Sequence, residues 1–498
     1  PTPNPFHSPP GGRHRVPTPA ETEGLLIRNG IAARTGEPFF PPVAPEELLA
    51  RVLGGEGPGR RHLAELDARR RWGHGRSLGP KHGVDPRRLG EAGWGVIFAE
   101  QADAAVRQAL APLLRRRRRQ AARLRPERYR ELAGREGYRR GESKLRFLAR
   151  HGVGPGPADP DRMPYYLLLV GGPEEIPWSF QTQLDVQYAV GRLAFDTPEE
   201  YARYAAGVVA AERGSLERPR RTVLFGTRRT GDLATELMHD ELVLPVAARL
   251  AADAGGWQTE EVAGAEATRP HLARLLGGDE TPALLFTACH GLCYERGDRG
   301  QRDGQGALVC QRPEAGAPHD GPPAFAAADL GDDACPGGLV LFAFACFSAG
   351  TPGPGEPRDA ADELAPAADR PFVSRLAQRL LAHPRGGALA VVGHVDQAWT
   401  YSFRSTMAGA QTEVFLSTLR RLRAGYPLGS AMEFFDQRHA ELACELAALR
   451  ERLQLGGRPD AWSWTDVWTA CHDARNFVIL GDPAVKLAAA SRGGRAAR

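Results

Sequence analysis

The sequence predicts an α/β fold in which helices flank a mostly parallel β-sheet. Short continuous apolar runs, suited to strands that are buried on both faces, recur along the chain, and segments with helical periodicity separate them. Two long loops rich in Gly, Asp and Pro follow the ends of such runs, where open parallel sheets place their ligand sites. We therefore expect a functional site at the carboxyl ends of the strands.

The first α/β half is predicted between residues 93 and 216. Gly171 and Pro173 end one of its apolar runs, and Thr197 before Pro198 has the residue types of a helix N-cap and first turn. The predicted elements, in order, are strand 94–98, helix 102–119, strand 165–170, strand 188–193 and helix 198–212.

The second half, residues 217–498, continues the alternation at greater length. The predicted elements are strand 222–226, helix 233–252, strand 259–262, helix 268–276, strand 282–289, strand 339–345, helix 372–381 and strand 388–392. The two long loops cover 291–338 and 351–370. Residues 1–92 begin with a segment rich in Pro and Gly and are predicted to form an N-terminal arm and extension.

The charge balance argues against a dedicated nucleic-acid or membrane-surface binder. Lys+Arg 64 against Asp+Glu 60 leaves a formal net charge of only +4. The consecutive arginines Arg115–Arg119 end a predicted helix, where positive charge suits the helix dipole, so we expect them to form a solvated face. No nucleic-acid partner is expected.

Cysteine usage and hydropathy favour the cytoplasm. The 7 cysteines are an odd number and none precedes Cys289, which argues against a secreted disulfide framework. The longest apolar run, Leu339–Phe347, is far shorter than the roughly 20 residues of a membrane-spanning helix, and the start of the chain lacks the apolar segment of a signal peptide. We expect a cytoplasmic protein without a membrane span.

A histidine and a cysteine follow two of the predicted strands. His290 and Gly291 come directly after strand 282–289, and Cys346 follows strand 339–345. Because the carboxyl ends of neighbouring parallel strands meet at one edge of a sheet, the thiol can act as a nucleophile beside a histidine base. The spacing of 56 residues is close to the roughly 50 residues of caspase-type pairs.

The strings around these residues resemble those of the caspase-like cysteine peptidases of clan CD. The Cys289–Gly291 and Ala345–Gly350 strings, with 168–177, 188–193 and 476–483, are similar to bacterial CHAT-domain proteases and to the gingipain family, over roughly residues 164–486. The resemblance implies a caspase-like fold and a cysteine endopeptidase that needs no cofactor. It makes His290 the catalytic histidine, Cys346 the nucleophile, and the backbone N–H groups of Gly291 and Cys346 the oxyanion donors.

The resemblance also implies cleavage after arginine, with lysine poorer. Gingipain-type enzymes use an aspartate and a Gln-x-Trp string for the primary specificity pocket, and Asp185, Asp396, Gln397 and Trp399 occupy the corresponding places. A carboxylate can pair with a guanidinium in two places, and an indole face can stack on it. A surface role for Asp185 and a core role for Trp399 stay open.

The partners that the resemblance implies are proteins. Bacterial relatives often cut one dedicated partner in defence or cell death, for example a gasdermin-like pore-former. Because unrestricted cleavage after arginine would damage the host, we expect one of the long loops or the N-terminal arm to gate the enzyme until an activating partner, or self-cleavage at Arg358 in the second long loop, remodels the pocket.

Two alternatives remain at this stage. A catalytically silent scaffold would keep the fold without turnover. A zinc-stabilised adaptor would use the irregularly spaced Cys289, His290, Cys293, Cys310 and Cys335 as ligands, although in a strand the side chains of Cys289 and His290 point to opposite faces.

Overall fold

A computed structural model describes residues 79–312, 323–354, 368–405, 408–457 and 460–490. The strands are β1 Trp94–Phe98, β2 Tyr129–Leu132, β3 Tyr166–Val170, β4 Ala189–Leu193, β5 Arg221–Gly226, β6 Gln258–Ala263, β7 Leu284–Ala288, β8 Leu308–Val309, β9 Ala324–Phe325, β10 Val340–Phe344, β11 Gly350–Thr351, β12 Phe372–Val373, β13 Ala390–His394, β14 Arg404–Ser405, β15 Gly409–Ala410 and β16 Phe477–Gly481.

The helices surround a central sheet. The α-helices are Leu89–Ala92, Ala104–Ala109, Ala111–Ala121, Lys144–Arg150, Trp178–Asp185, Pro198–Ala211, Leu233–Leu237, Leu244–Ala251, Arg269–Gly277, Gln301–Gly304, Arg375–Leu381, Glu413–Arg423, Leu428–Ala431, Glu433–Gln454 and Ala461–Arg475, and Met238–Val243 is a π-helix. In the part of the chain that the structure describes, no helix combines the length and the apolar character that a bilayer crossing requires.

One sheet of ten strands runs through the molecule in the order β2-β1-β3-β4-β16-β13-β10-β7-β5-β6. The five strands from β2 to β16 are parallel to one another, and so are the five from β13 to β6. The two sets join at the antiparallel pair β13 and β16. The predicted α/β fold with a mostly parallel sheet is confirmed, and pairing of β4 with β16 joins the ranges 93–216 and 217–498 in one sheet.

The predicted strands form, and the side chains of all except the edge strand β6 are largely buried, because their apolar runs suit a sheet covered on both faces. Predicted helix 102–119 is divided into two, and Pro112 lies in the first turn of the second. Predicted helix 372–381 begins only at Arg375, because Phe372–Val373 pairs with Gly350–Thr351. Strand β2 and helix Trp178–Asp185 were not predicted.

The prediction of a solvated arginine face is wrong for Arg117. Its side chain is buried, its Nε donates to Oδ2 of Asp482 at 2.7 Å, and its Nη1 lies 2.6 Å from Oε1 of Glu212. Trp94 on β1 also donates to Asp482, at 3.0 Å. Asp482, the carboxylate that pairs with this buried arginine, follows β16. The sequence around the arginine run therefore does not reveal the pairing.

The connections of β5 and β7 leave the sheet in opposite directions. The chain passes from β5 to its neighbour β6, whereas β7 leads to β10 on the other side. Open α/β sheets bind ligands at such a point, in the crevice beyond the carboxyl ends of the diverging strands. Here the loops that follow β5, β7 and β10 meet at this edge of the sheet.

Candidate active site

The structure brings the backbones of His290 and Cys346 together. Strands β7 and β10 are parallel neighbours with Ala288 opposite Phe344, and Cys289 N donates to Phe344 O at 3.2 Å just beyond the strands. A Cβ atom at Gly291 would lie 1.9 Å from the carbonyl oxygen of Cys346. Only glycine therefore allows the two loops to approach this closely.

Asp232, which the sequence analysis did not find, holds the ring of His290. Its Oδ2 atom accepts a hydrogen bond from Nε2 of His290 at 2.9 Å. Partial burial raises the pKa of Asp232, but the hydrogen bond and charge of His290 outweigh it and lower the pKa below its usual value. Because Nε2 is the donor, Nδ1 is left for proton exchange.

Asp232 owes its position to the helix that follows β5. It is the N-cap of helix Leu233–Leu237, where its side chain accepts from Thr235 N at 3.4 Å. Its Gly-Asp string just beyond a predicted strand is the one signal in the sequence that could have pointed to it. The bond to His290 joins residues 58 positions apart.

Two groups act on the sulfur of Cys346. Ala398 N donates to Sγ at 3.3 Å, and the second is the thiol of Cys293, which bonds to Gly291 O at 3.5 Å. The Cys293 thiol contributes most to a pKa of about 6 for Cys346; Ala398 N–H and the positive charges of His394 and His290 act in the same direction, against the burial that raises it. This shift favours the thiolate form of Cys346.

Phe347, the residue after Cys346, has a φ of 55°, the only positive value for a non-glycine residue in the described ranges. This conformation costs about 1–3 kcal/mol and is typical of functional sites. Phe347 N donates to Asp396 O at 2.9 Å, and a Cβ at Gly306 would lie 2.2 Å from Phe347 O. The backbone around Cys346 is therefore held by both neighbouring segments.

The predicted pocket residues Asp396, Gln397 and Trp399 lie on the segment that contacts Cys346. Gln397 N donates to Oδ1 of Asp396 at 2.9 Å, and Trp399 N donates to Oδ1 of Asp473 at 2.9 Å. The Trp399 residue is partly exposed. Three of the four predicted pocket residues thus flank Ala398, whose backbone N–H bonds to the sulfur.

Asp185 has different neighbours. It ends helix Trp178–Asp185, and its Oδ1 accepts from Val190 N at 3.2 Å. Burial raises the pKa of Asp185 well above its usual value, against the charges of Lys144 and Arg192. Desolvation likewise lowers the pKa of Lys144 to about 8. None of these partners belongs to the group around Cys346, and the pocket role of Asp185 stays a prediction.

The cysteines of the zinc alternative are dispersed. Cys310 bonds to Leu308 O at 3.6 Å and Cys335 to Asp333 O at 3.7 Å. Burial raises the pKa of Cys289 well above its usual value. Within residues 79–490, as far as the structure describes them, no three His, Cys, Asp or Glu side chains are grouped to hold a metal ion. Arg358 and residues 1–78 of the predicted arm lie outside the described residues.

Comparison with known proteins gives matches among solved structures alone; no family model and no curated protein matches. A structure described as a protease is 11% identical over 83% of this chain and 80% of that chain, with a TM-score of 0.46. The Arg-specific cysteine proteinase gingipain R is 12% identical over 80% and 78%, with a TM-score of 0.43.

A third solved structure, the complex of the pro- and mature domains of RgpB from Porphyromonas gingivalis, is 13% identical over 79% of each chain, with a TM-score of 0.46. At these identities and TM-scores, the likenesses assign no activity and no residue role to this chain. The resemblance to CHAT-domain proteases stays a prediction.

Proposed function

We propose that the protein is a cysteine endopeptidase with Cys346 as the nucleophile and His290 as the general acid and base. The observation that carries the proposal is a thiol and a histidine at the ends of neighbouring parallel strands, with Nε2 of the histidine bonded to a carboxylate. The interactions around the thiol also lower its pKa to about 6. Such an arrangement supplies a thiolate for attack and a ring oriented for proton transfer. No cofactor is needed for this chemistry.

The reaction follows from these positions. The Cys346 thiolate attacks the peptide carbonyl, and the N–H groups of Gly291 and Cys346 stabilise the oxyanion. His290, held by Asp232, carries on Nδ1 the proton that the Cys346 thiol has lost and donates it to the leaving amine as the C–N bond breaks and a thioester forms. It then takes a proton from the water that hydrolyses the thioester. The hydrogen bonds on either side of Gly291, Val309 N to His290 O and Leu292 N to Ala307 O, both 2.9 Å, fix the position of its amide.

Cleavage after arginine is the proposed specificity. Two acidic residues are alternative candidates for binding the arginine side chain. Asp185 is the acid expected from the resemblance. Glu241 is the second, because Arg404, a few residues after Trp399, forms an ion pair with its Oε1 atom. Its Oε2 atom is buried with no hydrogen-bond partner within the described ranges. A guanidinium from a substrate can bond to two carboxylate oxygens, whereas lysine cannot.

A peptide library with every residue at P1 tests the proposal on the full chain. We expect cleavage after arginine by the wild type, none by Cys346→Ala, and undiminished cleavage by the matched cysteine variant Cys335→Ala. Turnover that survives in Cys346→Ala would refute the assignment. No turnover from a wild type whose Cys346 is readily alkylated would favour the silent scaffold.

Substitutions show which of the two acidic residues binds the P1 arginine. If Glu241 binds the P1 arginine, Glu241→Gln removes the arginine preference and Asp185→Asn keeps it; the reverse result assigns the pocket to Asp185. Glu413→Gln, which breaks an exposed ion pair with Arg249 at 2.9 Å, is the control and should leave the preference unchanged. Cleavage after acidic or apolar residues would contradict both assignments. A single dedicated protein substrate, such as a gasdermin-like pore-former, remains a prediction.

A further inference from the structure

A second histidine lies behind the nucleophile. His394 is the last residue of β13, the strand next to β10, and its side chain is fully buried. Its Nδ1 lies 2.9 Å from Asp396 O, and its Nε2 lies 3.0 Å from the backbone oxygen of Asp473 and 3.3 Å from Oδ1 of the same residue. Each ring nitrogen therefore faces oxygen atoms at hydrogen-bond distance.

These oxygen atoms fix the protonation of the ring. A carbonyl oxygen can only accept, and a neutral imidazole has one donor nitrogen and one acceptor nitrogen. The neutral form would leave one nitrogen lone pair facing a buried oxygen, which is costly away from water. With both nitrogens protonated, both contacts become hydrogen bonds.

Asp473 supplies the opposite charge. Its side chain is buried in helix Ala461–Arg475, where Oδ1 accepts from Trp399 N at 2.9 Å and Oδ2 accepts from the hydroxyl of Ser402. Burial lowers the pKa of His394, but the hydrogen bond and charge of Asp473 outweigh it and raise the pKa above its usual value. His394 and Asp473 are thus placed to form a buried ion pair.

The pair is connected to the nucleophile through the 396–399 segment. Asp396 O accepts from both His394 and Phe347 N, and Ala398 N, two residues later, donates to the sulfur of Cys346. Asp473 fastens the far end of the segment at Trp399. The charged groups that face the ring are Asp473 and Cys346; His290 in turn acts on Cys346, and Arg438 of helix Glu433–Gln454 acts on Asp473.

We propose that His394, held as a buried imidazolium by Asp473, is a positioning residue that stabilises the thiolate of Cys346 and fixes the 396–399 segment against it. The proposal deepens the proposed function, because it assigns a support for the same nucleophile. It does not require His394 to contact a substrate. Its measurable consequence is the pH at which Cys346 becomes reactive.

The test is the pH dependence of Cys346 alkylation by iodoacetamide in the full chain, followed by peptide mass spectrometry. We expect His394→Gln to move the midpoint upward by about one pH unit or more, which lowers the rate at pH 6 by about fivefold or more. Asp473→Asn, which keeps the hydrogen-bonding shape and removes the counter-charge, should move it in the same direction. An unchanged midpoint in folded His394→Gln would overturn the proposal.

His383 provides a matched control. It is also fully buried, but its Nε2 bonds to Gly331 O at 3.0 Å and its Nδ1 accepts from Arg385 N at 3.3 Å, as in a neutral ring. His383→Gln should leave the Cys346 midpoint unchanged. An equal shift in His383→Gln would show that loss of any buried histidine suffices and would overturn the proposal.

A measurement on the wild type covers variants that do not fold. In a long-range ¹H–¹⁵N spectrum of histidine-labelled protein at neutral pH, we expect two protonated ring nitrogens for His394 and one for His383. One unprotonated nitrogen in His394 would overturn the proposal. Neither readout needs a substrate, so failure of the peptidase assay leaves this test intact, and failure here leaves the peptidase assay intact.

Discussion

The two halves of the sheet share one architecture, but a polar side chain from each, Arg192 and His290, differs in its exposure to solvent. In the half from β2 to β16, Arg192 of β4 is buried over the ring of Trp178, and it donates to Gln181 Oε1 at 2.8 Å and to Gly171 O at 2.9 Å. In the half from β13 to β6, the side chain of His290 is 37% exposed although its Nε2 is bonded. Internal partners thus surround the guanidinium of Arg192, whereas the imidazole of His290 stays within reach of solvent.

This difference separates a structural cluster from a candidate site. Arg117, Asp482 and Glu212 form a dense group of charges, and each charge has its partner inside the fold. At Cys346 the hydrogen bonds instead support a charge on an atom that can still react. Clustering of ionisable residues alone does not mark a functional site. A site also needs a reactive atom that is not used up by contacts inside the fold.

The largest expected effect comes from the nucleophile and its base. Cys346→Ala and His290→Ala should each lower peptide turnover by about three to four orders of magnitude, and the double variant should be little worse, because the two act as a unit. Steady-state kinetics on an arginyl peptide measure this. Multiplicative losses in the double variant would contradict joint action.

The next effect tests the opposite half and concerns stability. Arg117→Met leaves Asp482 with an uncompensated buried charge and Glu212 with Arg116 as its remaining arginine partner, which should lower the free energy of unfolding by about 3–5 kcal/mol. Arg118→Met breaks an exposed pair with Glu131 and should cost at most about 1 kcal/mol. Denaturant unfolding measures both.

The same two variants sharpen the comparison of the halves. Under conditions in which Arg117→Met remains folded, the rate of Cys346 alkylation should equal that of the wild type, because Arg117 belongs to the charged cluster with Asp482 and Glu212. A slower alkylation in folded Arg117→Met would show that the first half takes part in the chemistry.

Much of the fold could be predicted because continuous apolar runs, which are local in the sequence, mark most of its strands. Strands β7 and β10 are continuous apolar runs, and the rule that parallel strand ends meet was enough to place His290 beside Cys346. The partners of Arg117 were out of reach, because Asp482 is 365 residues away and its approach depends on the pairing of β16 with β4. The sequence contains Asp482 but no signal that pairs it with Arg117.

The candidate site shows the same limit. Asp232 reaches His290 only because β5 and β7 are neighbours, an order in which β6 is skipped. His394 looks like the polar end of an apolar strand until Asp473 is seen beside it. Cys293 had been a zinc candidate, and its contact with Cys346 depends on the path of the loop after Gly291.

A smaller effect is expected for the acid that orients the histidine. Asp232→Asn should lower turnover by about a hundredfold, because the neutral amide no longer favours Nε2–H and the positive ring. Asp240→Asn, which alters an exposed carboxylate paired with Arg228 at 3.3 Å, is the control and should leave turnover unchanged. Wild-type kinetics in Asp232→Asn would remove this residue from the site.

The smallest effect concerns the second thiol at the site. Cys293→Ala removes the donor that contributes most to the low pKa of Cys346, so that pKa should rise from about 6. Less thiolate is then present at pH 6, and alkylation should slow there by up to about tenfold, with no loss well above the new midpoint. Cys293→Ser keeps a donor and should shift the midpoint less, whereas Cys335→Ala should not shift it. If the midpoint of Cys293→Ala matched the wild type, the Ala398 amide and the two histidines would account for the thiolate, and Cys293 would belong with the structural groups of the other half.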